Sequence, residues 1–174
     1  MSSRPEVWLR GPVPGFEPLL LPAAHALLQV KEEVRALEDH VPAHLVWARP
    51  GEAASIGFHV RHIGGSLDRL LTYARGEQLT EAQRLALAAE EVETNEPLGQ
   101  LGTETRAAID RALEQLQRTS REELLVERRV GRGGLPSTTI GLLFHAAEHA
   151  TRHAGQALTT LRILSGAAAL IADP

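Results

Sequence analysis

The stretch Thr138–Leu164, TTIGLLFHAAEHATRHAGQALTTLRIL, decides how the rest of the chain is read. It has the pattern of one long helix, and it carries His145, His149 and His153 at a strict four-residue spacing. Residues four apart on an α-helix lie only about 40° from one another around the axis. The three rings therefore form one stripe, and neighbouring rings can reach a single metal ion. Charge is sparse along the stretch: Glu148, Arg152 and Arg162. A second stripe, Ala147, Ala150, Ala154, Leu158 and Leu161, runs opposite the histidines. With one side apolar and the other lined by imidazole, the helix is expected to be buried.

Working outward, the second long helix is expected over Ala54–Arg75, stopped by Gly76. Its apolar stripe is Ile56, Val60, Ile63, Leu67, Leu70 and Ala74, flanked by His59 and His62. A first helix over Leu19–Asp39 repeats Leu20, Leu27, Val30, Val34 and Leu37 at helical spacing. Pro22 falls in its first turn, where proline is tolerated. A third helix over Thr103–Arg118 buries Ile109, Leu113 and Leu116. Between helices two and three lie residues 76–102, in which Thr80 and Gln83 form a capping box for a short helix to about Glu90. Antiparallel neighbours do not need so long a connection, so helices two and three are expected to run the same way across a crossover. VERRVGRGGLP, 126–136, reads as a hairpin or ordered loop, and Ser137 or Thr138 caps the last helix. The tail 167–174 is apolar enough to dock, and residues 1–18, with four prolines, form an irregular arm. The expectation is an all-α four-helix bundle, one domain over 1–174.

Composition narrows the function. Net charge is −4 with both signs scattered, which does not describe a nucleic-acid surface. Without cysteine there is no disulfide, thiolate metal site or nucleophilic thiol of the chain's own. No apolar run approaches the roughly 18 residues of a membrane span. The run Leu19–Leu28 is broken by Pro22 and His25 and preceded by mixed charges. That argues against a signal peptide, and a cytoplasmic location is expected.

Metal sites in bundles are built from side chains pointing inward from facing helices. The last helix offers a histidine pair four apart, and the second offers His59 and His62. Three imidazoles with an open position make a catalytic type of site for Zn²⁺, Ni²⁺ or a similar ion. Neither the Glu-x-x-His pattern of di-iron bundles nor His-Glu-x-x-His is present. His25, His40 and His44 lack such company and read as surface or satisfied side chains. Gly155 reads as a point of close helix approach, and Asp68 and Arg69 as surface or interhelix ion pairs. Trp8 and Trp47 read as packing at the bundle end.

SIGFHVRHIGGSLDRLL (55–71), followed by HAAEHATRHAGQALTTLR (145–162), resembles the DinB-like superfamily. Its relatives include bacillithiol transferases and mycothiol-dependent maleylpyruvate isomerases. The most specific element is His149-x-x-x-His153-x-Gly155-Gln156, with a single histidine before an apolar residue on the second helix. The resemblance implies a bundle in up-down-down-up order and a divalent metal, Zn or Ni, held by His62, His149 and His153. It further implies a small-molecule substrate, a low-molecular-weight thiol as co-substrate, and a homodimer, for which the alanine stripe offers a close-packing face. The family often places a basic residue where Ala154 stands, a role that Arg152 would have to fill. Angular counting disagrees on one ligand. At 100° per residue His59 lies about 60° from the apolar centre and His62 about 120°, so geometry alone favours His59. His59 and His145 are thus alternates, with supporting roles. Glu148 and His145 are the candidate acid–base groups, and Gln156 and Arg152 the candidate substrate contacts. The expected activity is a metal-dependent thiol transferase or a hydrolase. The alternative is a binding or stress-response protein with a structural metal.

Overall fold

The computed structural model describes residues 5–171, with side chains described through Gly166. Among the described residues there are five α-helices: α1 (Leu21–His40), α2 (Ile56–Ala74), α3 (Glu81–Ala89), α4 (Leu98–Arg118) and α5 (Thr139–Ile171). The chain is mostly helical but not purely so. A two-stranded antiparallel hairpin, β1 (Glu127–Val130) and β2 (Leu135–Thr138), precedes α5. Its turn uses Gly131 and Gly134 at φ +67° and +59°, which glycine adopts without steric penalty. No described helix is long and apolar enough to cross a membrane.

Local chemistry sets most boundaries. Ser55 Oγ accepts from Phe58 N at 3.2 Å and opens α2, and Gly76, at φ +81°, follows its end. The Thr80–Gln83 capping box opens α3. Thr138 Oγ1 accepts from Gly141 N at 3.1 Å at the start of α5. Two boundaries differ from expectation. α4 begins at Leu98, five residues before Thr103, directly after Pro97. Gly99 and Gly102 look like helix breakers in the sequence. Gly102, however, sits under the Glu38 carboxylate of α1, which lies where a Cβ would be and pairs with Arg106. The last helix also continues through Ile171, where a separate tail was expected to dock. The side chains of that tail, and residues 172–174, lie outside the described residues.

α1 and α2 each pack along both α4 and α5. The core they share includes Leu27, Val30 and Val34 from α1, Ile56, Val60, Ile63 and Leu67 from α2, and Ile109 and Leu116 from α4. Each such side chain contributes about 1.5–3 kcal/mol on leaving water. α5 adds mainly small residues: Ala146, Ala147, Ala150, Ala154 and Ala157 are all buried. The alanine stripe therefore faces the chain's own helices, and α5 packs along α1 and α2 where helices one and three were the intramolecular expectation. Small side chains at a helix contact let the backbones approach, which brings the histidines of α5 within reach of α2. Polar contacts fix the registers. Thr105 Oγ1 donates to Val60 O at 2.7 Å, and Gln115 Nε2 to Leu71 O at 3.0 Å. Lys31 reaches Asp110 at 2.5 Å.

Candidate metal centre

α2 carries His59 and His62 on its first two turns, and α5 carries His145, His149 and His153 in its first half. Where the helices meet, His62 Nε2 and His149 Nε2 stand 2.9 Å apart. The His153 ring centroid lies 4.5 Å from that of His62 and 4.5 Å from that of His149. His62, His149 and His153 each present one nitrogen, all within 4.8 Å of one another, close enough to share one metal ion. Phe58, one turn before His62, stacks on it with centroids 5.2 Å apart.

Burial removes solvation from these rings and disfavours their charged forms. His153 is pushed down to about 3, by burial and then by the nearby His62, His149 and His59. His59 falls to about 4, by burial and then His62. His149 is lowered too, first by burial and then by His62. These rings are neutral at pH 7, the state a metal requires. The donor set also fits such an ion: three imidazoles suit Zn²⁺ or Ni²⁺, and the buried Nδ1 of His149 has no hydrogen-bond partner.

The DinB superfamily model matches residues 26–157. The chain belongs to the DinB superfamily. The DinB fold is seen again in the crystal structure of a DinB-like protein from Bacillus cereus. That structure superposes with a TM-score of 0.60 at 16% identity, over 80% of this chain and 91% of the other. A comparison with curated proteins found no match.

Within this DinB frame the histidines separate into distinct positions. His59 is 5% exposed, and its Nδ1 lies 2.9 Å from Nδ1 of His153, behind the cluster. The angular count was right that His59 lies deeper, but depth carries its ring past the point where the other three meet. His145 stands at the rim with a half-exposed side chain, 5.4 Å from His149 between centroids. Glu148 lies 3.5 Å from His145 Nδ1 and is held below the usual carboxylate range, chiefly by its hydrogen bonds from Arg152. Arg152 and Gln156 lie on the exposed side of α5, together with Phe144 and Gly155. The helix therefore has a solvent face that its low charge count concealed. Gly155 meets nothing within 4 Å of a built Cβ, so it serves no close helix approach.

The remaining histidines stay apart from the cluster. His25 Nε2 lies 3.1 Å from Gly11 O, His40 Nδ1 lies 2.7 Å from Ala36 O, and His44 is exposed. Trp47 packs on Gly57 and under the Arg61 guanidinium, 4.8 Å from its ring centroid, whereas Trp8 is 60% exposed and donates its Nε1 to Glu6 Oε2 at 2.7 Å. Asp68 is exposed and accepts from Gln83 at 2.7 Å. Arg69 is buried, and its partner was missed in the sequence. Glu90, just past α3, receives Arg69 Nη1 at 2.5 Å and His62 Nδ1 at 2.6 Å.

The neutral rings carry a stability consequence. Unfolded histidines titrate near 6.5, and His59 and His153 titrate well below that when folded. As pH falls below 6.5 the unfolded state takes up protons first, so folding weakens until the folded values are reached. The melting temperature of the metal-free protein is expected to drop steadily from pH 7 to pH 4.5. A profile flat over that window would contradict the burial of these rings.

Proposed function

We propose that His62, His149 and His153 hold one divalent metal, Zn²⁺ or Ni²⁺, and that the chain is a metal-dependent transferase acting with a small-molecule thiol, or a hydrolase. The meeting of three imidazole nitrogens within 4.8 Å, at a junction of two helices, carries this reading. When bound, the ion would lower the pKa of a water or thiol and polarise an electrophile. The chain has no cysteine, so a thiol nucleophile must come with the co-substrate. His59 holds His153 from behind. His145 at the rim is the better placed proton acceptor, because Glu148 is committed to Arg152. Phe58, stacked on His62, also lines a small recess with Trp47, Arg49, Ser55, Glu91 and Glu93, whose mixed apolar and charged wall would take one end of a substrate.

The frame we infer is an up-down-down-up four-helix bundle forming one cytoplasmic domain over 1–174. Its support is register: Val60 with Thr105 and Leu71 with Gln115 make α2 and α4 parallel. Lys31 with Asp110, and Glu38 with Arg106, make α1 antiparallel to α4. A homodimer would use the outer face of α5 around Phe144, which is 63% exposed.

The competing reading is a non-catalytic protein with a structural metal, whose coordination shell would be closed. Cobalt-loaded protein distinguishes the two. An open position predicts that a small thiol such as mercaptoethanol changes the cobalt visible spectrum and adds a thiolate charge-transfer band. A spectrum indifferent to thiol and to azide supports the structural metal.

A further inference from the structure

Glu90 is 3% exposed, yet it follows a helix, α3, that buries no residue of its own. Two α2 side chains, seven residues apart and therefore on one face, hold it. Arg69 donates to both carboxylate oxygens, Nη1 to Oε1 at 2.5 Å and Nη2 to Oε2 at 3.3 Å, and Oε2 lies 2.6 Å from His62 Nδ1. Between them stands Gly65, where a Cβ would overlap Glu90 Oε1 and crowd Arg69 Nη1 at 2.8 Å. The recess is thus shaped for this carboxylate. Arg61 secures the segment that follows, donating to Val92 O at 2.7 Å and Thr94 Oγ1 at 2.8 Å.

A carboxylate bound to arginine is ionised and can only accept hydrogen bonds. The proton it shares with His62 must therefore sit on Nδ1, which leaves the Nε2 lone pair directed at His149 and His153. We propose that Glu90 is a positioning residue for the metal centre: it fixes the tautomer and the ring orientation of His62 from behind. Carboxylates in this position also raise the basicity of the ligand they hold. The crossover between α2 and α4 then has a task beyond connection, since it delivers the carboxylate to the rear of His62. The proposal rests on the metal reading above.

Two measurements on the full chain test it. In the metal-free protein, long-range ¹H–¹⁵N correlation of the imidazoles should find the His62 proton on Nδ1. A proton on Nε2 would overturn the proposal. Zn²⁺ affinity is then measured by competition with a chromophoric chelator for three proteins: wild type, Glu90→Gln, and the double variant Arg69→Leu/Glu90→Leu. The double variant removes both charges and so leaves neither buried without a partner. Affinity should fall about tenfold for Glu90→Gln and up to about a hundredfold for the double variant. The metal-free double variant should still melt cooperatively, and its cobalt spectrum should be altered. A cooperatively folding double variant that binds Zn²⁺ within twofold of wild type overturns the proposal alone. Failure of the wild type to bind Zn²⁺ overturns the metal reading, and the proposal with it.

Discussion

His149→Ala is expected to lower Zn²⁺ affinity by roughly a hundredfold or more. Structural zinc in zinc-finger peptides is worth about 10–16 kcal/mol at neutral pH; on that scale one ligand of four carries about 3 kcal/mol, and about 1.4 kcal/mol corresponds to a factor of ten. His153→Ala and His62→Ala should behave alike, because each removes one of the three nitrogens that meet. His59→Ala should cost much less, about tenfold, since it takes away only the partner of His153 Nδ1. His145→Ala and His25→Ala should bind as wild type does. The order of the losses matters more than their size. If His62→Ala retains full stoichiometry while His59→Ala loses it, the helix-two ligand is His59, as angular counting alone would have it.

Metal itself should stabilise the fold strongly. The ion would join α2 to α5, two elements of the shared core that have no covalent connection nearby. An ion bound only by the folded state adds about 4 kcal/mol when free metal is a thousandfold above Kd. For a chain of this size each kcal/mol raises the melting temperature by about 2–4 °C. Calorimetry should therefore show a rise of roughly 8–16 °C with saturating Zn²⁺ or Ni²⁺, reversed by a chelator and cut to about a third or less in His149→Ala at the same metal concentration. No shift with either ion would leave a bundle whose histidines serve packing alone.

What could be read from the sequence was chiefly local. The Thr80–Gln83 pair and Thr138 each act within three residues of themselves, and each opens its helix as expected, whereas Ser55, inside the helix expected from Ala54, is in fact its N-cap. The histidine stripe of α5 follows from helical spacing in the same way, and the likeness to DinB proteins singled out His62 from His59. Tertiary causes stayed hidden. Gly99 and Gly102 look like a helix breaker until the Glu38 side chain is seen lying on Gly102. Glu90 is expected only as the end of a short helix, with nothing local to mark it as buried. Its partners His62 and Arg69 lie 28 and 21 residues away, and no periodicity connects them. The solvent face of α5 was hidden for a different reason: Phe144, Thr151, Gly155 and Thr159 leave it exposed but uncharged.

The most direct measurement is X-ray absorption at the zinc edge of the metal-loaded full chain. Multiple-scattering features should count three imidazoles, with at least one further light-atom ligand from solvent. Fewer than three imidazoles, or a shell closed by four protein donors, would contradict a three-histidine centre with a position open to substrate.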